Sequence, residues 1–126
     1  MADVVSDSIR KLIQRYILSV EQLDILLVLK RSPDKFLSAQ DVFNTIQSSV
    51  ASVTERLQKL QSDGFLDKDG NEPPRYRYNP KTQELASAVA ELQNVYKESP
   101  VKVIEAIYSG ANQQARDFAE SFRFRK

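Results

Sequence analysis

The segment formed by residues 37–78 constrains the fold of this 126-residue chain more than any other, because it encodes two short helices, a polar turn and a hairpin in succession. Ser38 can cap the first helix, and Asp41 suits its electropositive first turn. The apolar positions recur at three- and four-residue intervals and are Ala39, Val42, Phe43 and Ile46. This spacing predicts a short amphipathic helix that ends near Ile46.

A polar turn and a second amphipathic helix follow. The serines of the turn, residues 47–49, can cap the second helix, and Gly64 stands where a left-handed residue would end it. Its buried face is assigned to Val50, Val53, Leu57 and Leu60. The opposite face carries Ala51 and polar side chains of the kind that can approach base edges in a major groove.

A β-hairpin with two arginines is predicted after the second helix. The first strand starts at Phe65, and Asp69-Gly70-Asn71 is a turn signal. In the second strand, Arg75-Tyr76-Arg77-Tyr78, alternation puts the arginines on one face and the tyrosines on the other. Arginine at such a position can pair with phosphates or enter a minor groove. Phe36-Leu37 can supply a third strand.

These residues resemble the MarR and PadR groups of bacterial winged-helix transcription regulators. The resemblance rests on residues 37–42 at the start of the first motif helix, residues 48–57 in the second, and residues 60–66 at its end. Residues 74–79 are most similar to the wing of PadR proteins. The resemblance implies a transcription regulator that binds double-stranded DNA by occupying an operator, as a homodimer formed by its terminal helices.

The predicted fold is mainly α with a small β-hairpin wing, a winged helix-turn-helix with additional N- and C-terminal helices. An N-terminal helix is assigned to residues 1–18 and the winged helix-turn-helix to 19–81, where Ser19 to Gln22 has the form of a capping box. C-terminal helices are assigned to 82–126: one begins at Asn79-Pro80, another restarts at Ser99-Pro100 and ends at Gly110, and a last one follows. The terminal helices either form a dimer interface or complete the core of a monomer.

The candidate DNA contacts lie on the second motif helix, on the turn before it and on the wing. Those near bases or adjacent phosphates are Ser48, Ser49, Ser52, Thr54, Glu55 and Gln58. Those expected to contact phosphates or a minor groove are Arg56, Lys59, Lys68, Arg75 and Arg77.

Charge leaves a second interpretation open. The chain has 18 basic and 17 acidic residues, and residues 19–81 contain nine of each. A neutral domain binds DNA well only if its basic residues share a surface, and Asp63, Asp67, Asp69 and Glu72 would oppose them here. The alternative is therefore a winged-helix module that binds other proteins in a larger assembly without reading DNA.

Other functions find little support in the sequence. Cysteine and histidine are absent, and the remaining polar residues show no catalytic spacing, so we expect neither an enzyme nor a cofactor nor a metal site. No apolar run could cross a membrane and the start lacks the order of a secretory signal, which predicts a cytoplasmic protein. A small-molecule effector is one further partner to consider, with Tyr96, Tyr108, Phe118 and Phe122 around it, although such aromatics usually form core. A protein of the transcription machinery is another.

Overall fold

A computed structural model describes residues 5–109, which form six helices and a small antiparallel sheet. The elements in chain order are α1 Asp7–Tyr16, α2 Val20–Arg31, β1 Leu37–Ser38, α3 Ala39–Ile46, α4 Val50–Ser62, β2 Leu66–Lys68, β3 Arg75–Tyr78, α5 Gln83–Glu98 and α6 at residues 100–109. The predicted fold class is confirmed. The predicted end of α6 at Gly110 and the last predicted helix lie outside the described residues.

Helix α2 lies at the centre of the hydrophobic core. Five of its apolar side chains are buried: Leu23, Ile25, Leu26, Leu27 and Leu29. They point in several directions around the helix because α2 packs against α3, α4 and β3. Outside this centre, α1 packs on α5, and Val103 and Ile107 join α6 to the core. The flanking helices therefore extend the core of the helix-turn-helix.

The start of α2 is held by a different arrangement from the predicted capping box. Ser19 caps the helix, with its hydroxyl accepting the Gln22 amide at 3.1 Å. The fully buried Gln22 side chain does not return to the Ser19 amide. It accepts the Leu18 amide at 3.0 Å and donates to the Tyr16 carbonyl at 3.0 Å. The box prediction was wrong because the connection from α1 offers a partly buried amide and carbonyl that need partners.

The helix-turn-helix forms as the sequence predicts. Ser38 and Asp41 make a reciprocal capping box, with bonds of 3.1 and 3.0 Å, at the start of α3. The helix ends at Ile46, and Gln47 takes the left-handed conformation with φ 60°. Ser49 then caps α4 by accepting the Ser52 amide at 3.1 Å. The turn therefore spans residues 47–49 as expected.

The wing is the pair of antiparallel strands β2 and β3, and β1 adds a third strand to give the order β1-β3-β2. Gly64 leaves α4 with φ +95°, a conformation that side chains disfavour. After β3 the chain returns to this point, where the Asn79 amide donates to the Phe65 carbonyl and the Lys81 amide to the Gly64 carbonyl, both at 2.9 Å. These bonds hold Asn79 and Pro80 outside the helix.

Helix α5 consequently begins later than the sequence analysis predicts. Its cap is Thr82, whose hydroxyl accepts the Leu85 amide at 3.1 Å, and not Asn79. The Asn79 side chain instead donates to Asp67 at 2.8 Å. The start signal at Asn79-Pro80 was wrong because long-range contacts with the wing outweigh a local capping preference.

Tyr78 has a buried hydroxyl that forms no hydrogen bond within the described chain. We expect Tyr78→Phe to raise the free energy of unfolding by about 1 kcal/mol, because a buried hydroxyl without a partner costs stability. Urea denaturation measures this change. The matched control is Tyr96→Phe, which should lower it by about 1 kcal/mol because the Tyr96 hydroxyl donates to Asp24 at 3.0 Å. Equal losses in both variants would contradict the prediction.

Candidate nucleic-acid interface

One side of α4, the predicted reading helix, lies at the surface of the helix-turn-helix. Its buried side packs Val53, Leu57 and Leu60 into the core. The outer side carries two rows of residues spaced four apart. The first row is Val50, Thr54, Gln58 and Ser62, and the second is Ala51 and Glu55. All of them are exposed except Thr54, which is partly buried and donates its hydroxyl to the Val50 carbonyl at 2.7 Å.

Val50 does not belong to the buried face to which the sequence analysis assigns it. It shares an angular position with Leu57, yet its exposed fraction is 41% whereas that of Leu57 is zero. Helical periodicity gives the side of a residue but not how far along the helix the core extends. Val50 is the first residue of the helix, and the core ends before it.

Three predicted DNA contacts are held together by the carboxylate of Glu21, in the first turn of α2. The Ser48 hydroxyl donates to one oxygen of Glu21. The Ser52 hydroxyl at 2.7 Å and the Arg56 Nε at 3.1 Å donate to the other. Glu21 therefore joins α2 to both the turn and the reading helix, and Ser48, Ser52 and Arg56 have partners within the protein.

This arrangement changes the acidity of Glu21. Burial alone raises the pKa of its carboxyl, but the hydrogen bonds from Ser48, Ser52 and Arg56, with the charge of Arg56, bring the pKa below its ordinary value of 4.5. The ionised carboxylate is therefore the form that the folded protein favours.

A pH-dependent contribution to stability follows from Glu21. Because the folded pKa is the lower one, the contribution is present above the unfolded pKa and is lost as the pH falls through the folded value. Native protein should be more stable than Glu21→Gln at about pH 7, and urea denaturation should show the gap narrowing toward about pH 3.5. Ser52→Ala, which removes one donor, should reproduce part of the effect. A gap independent of pH would contradict this assignment.

Both wing arginines form ion pairs with aspartates of the neighbouring strand and turn. Arg75 donates through Nε to Asp69 at 2.7 Å, and Arg77 donates through Nη2 to Asp67 at 2.8 Å. Arg77 also lies over the ring of Phe36, 4.7 Å from its centroid. The two guanidinium groups are held on the face opposite to the buried Tyr76, as strand alternation predicts.

The aspartates on the wing respond to these arginines. Hydrogen bonds from Arg77 and Asn79 lower the pKa of Asp67 against the opposing effect of burial. Hydrogen bonds from the Arg75 backbone and side chain, with one from the Asn71 backbone, lower the pKa of Asp69. Both carboxylates are therefore charged near neutral pH.

The two remaining candidate cations, Lys59 and Lys68, differ in their pairing. Lys59 pairs with Asp63 at 2.6 Å, whereas Lys68 is exposed and has no ion pair within residues 5–109. Asp63, Asp67 and Asp69 thus offset the positive charge of the candidate cations by direct ion pairs, as the sequence analysis expects. Such pairs at partly exposed positions contribute only about 0–1 kcal/mol each. An incoming phosphate could replace a carboxylate at small cost.

Sequence reasoning missed Glu21 altogether. It appears only as an acidic residue in the first turn of α2, where its charge suits the helix dipole. Nothing local connects it with Ser48, Ser52 or Arg56, which lie 27 to 35 positions away. Only the packing of α2 against α4 brings these groups together.

Solved structures share this arrangement of elements. The MosR transcriptional regulator of M. tuberculosis has a TM-score of 0.55 at 13% identity, covering 91% of this chain and 84% of its own. MepR, a transcription regulator of the Staphylococcus aureus multidrug efflux pump MepA, has a TM-score of 0.52 at 13% identity, covering 94% and 87%. Transcriptional regulator Tm0710 of Thermotoga maritima has a TM-score of 0.50 at 16% identity, covering 87% and 85%.

This chain shares the winged-helix fold of these proteins. No family model matches the sequence, and no curated protein matches it either. The likeness includes α1, α5 and α6 as well as the helix-turn-helix, since the match extends over most of the chain. The three neighbours are described as transcription regulators.

Neither a metal site nor a membrane span is found in the part of the chain that the structure describes. Acidic residues at positions 5–109 form no cluster of three that could hold a metal ion. None of the helices there combines the length and apolar character needed to cross a bilayer.

Proposed function

We propose that this chain is a sequence-specific DNA-binding transcription regulator that acts by occupying an operator. The main observation that supports this proposal is the surface of the MarR-like fold. It has an exposed face of the reading helix with both polar and apolar side chains, and a wing with two outward arginines. Gln58 and Glu55 lie exposed on that face, with the hydrogen-bonding groups that suit adenine and cytosine edges. The wing arginines supply phosphate or minor-groove contacts.

Ser48, Ser52 and Arg56 take a different part in this proposal from the one first assigned to them. Their bonds to Glu21 fix the start of the reading helix, so they position that helix before DNA arrives. Ser49 caps the same helix and remains exposed near the site where a phosphate would approach. Lys59 and Lys68 add positive charge at the end of the helix and on the wing.

The proposed active form is a homodimer in which residues 19–81 read DNA and the terminal helices associate. Val101 and Tyr108 support this assignment, because their exposed fractions are 64% and 59% on a helix that otherwise joins the core. Exposed large apolar side chains on one helix favour a protein contact. Two-fold symmetry would place two reading helices about one DNA turn apart.

Selection of bound duplexes from a random DNA pool, followed by titration of the best duplex at several salt concentrations, tests the proposal. We expect a palindromic site whose affinity falls as salt rises, because phosphate contacts release counterions. A folded protein that enriches no duplex, in a selection repeated with candidate effectors, would overturn it.

A second candidate function is a winged-helix module that binds another protein. The observation in its favour is that Arg56, Lys59, Arg75 and Arg77 are each paired with a carboxylate, which reduces the positive surface available to DNA. Binding to DNA that depends on the wing arginines would exclude this function. Complete indifference to DNA in a folded dimer would favour it.

An effector and a protein of the transcription machinery are further partners of the proposed cytoplasmic regulator. The aromatic pocket suggested for an effector receives limited support, because the Tyr96 hydroxyl is bonded to Asp24 and Tyr108 is exposed. Phe118 and Phe122 lie outside the described residues. Thermal denaturation with candidate ligands would detect binding to the folded state.

A further inference from the structure

The first turn of the reading helix has an apolar surface. Val50 is one of three exposed large hydrophobic residues among positions 5–109, and the other two, Val101 and Tyr108, lie on α6. Ala51 beside it is also accessible at the surface. Val50 is 41% exposed whereas Val53 and Leu57 of the same helix are fully buried, so part of its apolar side chain is available to a partner outside the chain.

Polar side chains around Val50 are already engaged within the protein. Ser48 and Ser52 donate to Glu21, and Ser49 accepts the Ser52 amide. Thr54, one turn further, donates to the Val50 carbonyl. The hydroxyls of Ser48, Ser52 and Thr54 therefore donate within the protein and that of Ser49 caps the helix, whereas the side chains of Val50 and Ala51 lie at the surface without such contacts.

We propose that Val50, together with Ala51, reads the C5-methyl group of a thymine in each operator half-site. The inference rests on the proposed function. Recognition helices contact base edges through their N-terminal residues, and the thymine methyl is the apolar feature of the major groove. A valine and an alanine offer no hydrogen bond, so they distinguish bases there only through this methyl. Gln58, two turns further on the same row, reads a different base pair.

Replacing thymine by deoxyuridine tests this inference directly, because the substitution removes one methyl and leaves the hydrogen-bonding edge unchanged. Each thymine of the selected site is replaced in turn, in both half-sites together, and the Kd is measured for each duplex. Loss of a buried methyl should weaken binding about fourfold per half-site, or about fifteenfold for both. We expect this at one or two positions of the half-site.

Protein variants test whether Val50 and Ala51 cause the loss of affinity that follows removal of the thymine methyl. In Val50→Ala, the loss of affinity caused by deoxyuridine at the contacted position should be at most half of that in native protein. Ala51→Gly should also reduce this loss. Ser62→Ala, a change at the other end of the same helix, is the matched control and should retain the full penalty. Urea denaturation confirms that each variant is folded under the binding conditions.

The outcomes separate this inference from the proposed function. A selected site that tolerates deoxyuridine at every position, or that has no thymine in its half-sites, overturns the methyl contact and leaves sequence-specific binding intact. A penalty of equal size in native protein, Val50→Ala and Ala51→Gly also overturns it. Failure to select any duplex overturns both.

Discussion

Phe65→Ala is expected to lower the free energy of unfolding by about 3–5 kcal/mol, the largest stability effect of any change considered for this protein. Phe65 is fully buried, and its ring meets that of Tyr16 edge to face with centroids 5.3 Å apart. Its backbone also joins two elements, since its amide donates to Leu60 and its carbonyl accepts from Asn79. Truncation would leave a cavity between α1, the end of α4 and the wing.

Urea denaturation of native and variant protein measures this effect. Phe43→Ala is the matched control, since it removes the same atoms from a partly buried position on α3 and should cost less. Stability of a domain of this size is only about 5–15 kcal/mol, so Phe65→Ala should leave a marginal fold. Similar losses for the two phenylalanines would show that Phe65 does not have this central position in the core.

Arg75→Ala combined with Arg77→Ala is expected to weaken DNA binding about tenfold or more, for selected and random duplexes alike. Phosphate contacts carry no sequence information, so the preference for the selected site should remain. The slope of log affinity against log salt should flatten by about 0.9 for each phosphate that is no longer neutralised, or about 3.6 for two arginines on each of two wings. Titrations at several salt concentrations measure both quantities.

Asp67→Asn is a control that should change the affinity for DNA in the opposite direction. It removes the charge that pairs with Arg77 but keeps an oxygen that can accept its hydrogen bond. Binding to all duplexes should therefore strengthen. Asp69 is less suitable, because it also accepts the backbone amides of Asn71 and Arg75 and thus shapes the turn. Unchanged affinity in the double arginine variant would exclude Arg75 and Arg77 from the DNA interface.

Local signals predicted those elements whose ends are set by neighbouring residues. Ser38 with Asp41, the turn at residues 47–49 and Gly64 all lie where the sequence analysis puts them, because caps and left-handed residues act within a few positions. The alternation of Arg75 to Tyr78 likewise gives the faces of β3 directly.

Predictions failed where a distant part of the chain decides the outcome. Asn79 follows its contacts with Asp67 and Phe65 and does not cap α5. Gln22 bonds to the connection from α1, and Val50 lies beyond the reach of the core. The candidate site shows the same division: the outward direction of the wing arginines could be predicted, but the contact of Glu21 with Ser48, Ser52 and Arg56 requires the packed structure.

Consecutive residues at the start of α2 face two different parts of the protein. Gln22 binds the connection from α1, through the Leu18 amide and the Tyr16 carbonyl, while Glu21 binds the turn and the reading helix. A tilt of α1 would therefore be transmitted to α4 through a single helical turn of α2. In the proposed regulator, the rigidity of that turn would determine how closely the DNA-binding helix follows a movement of the flanking helices.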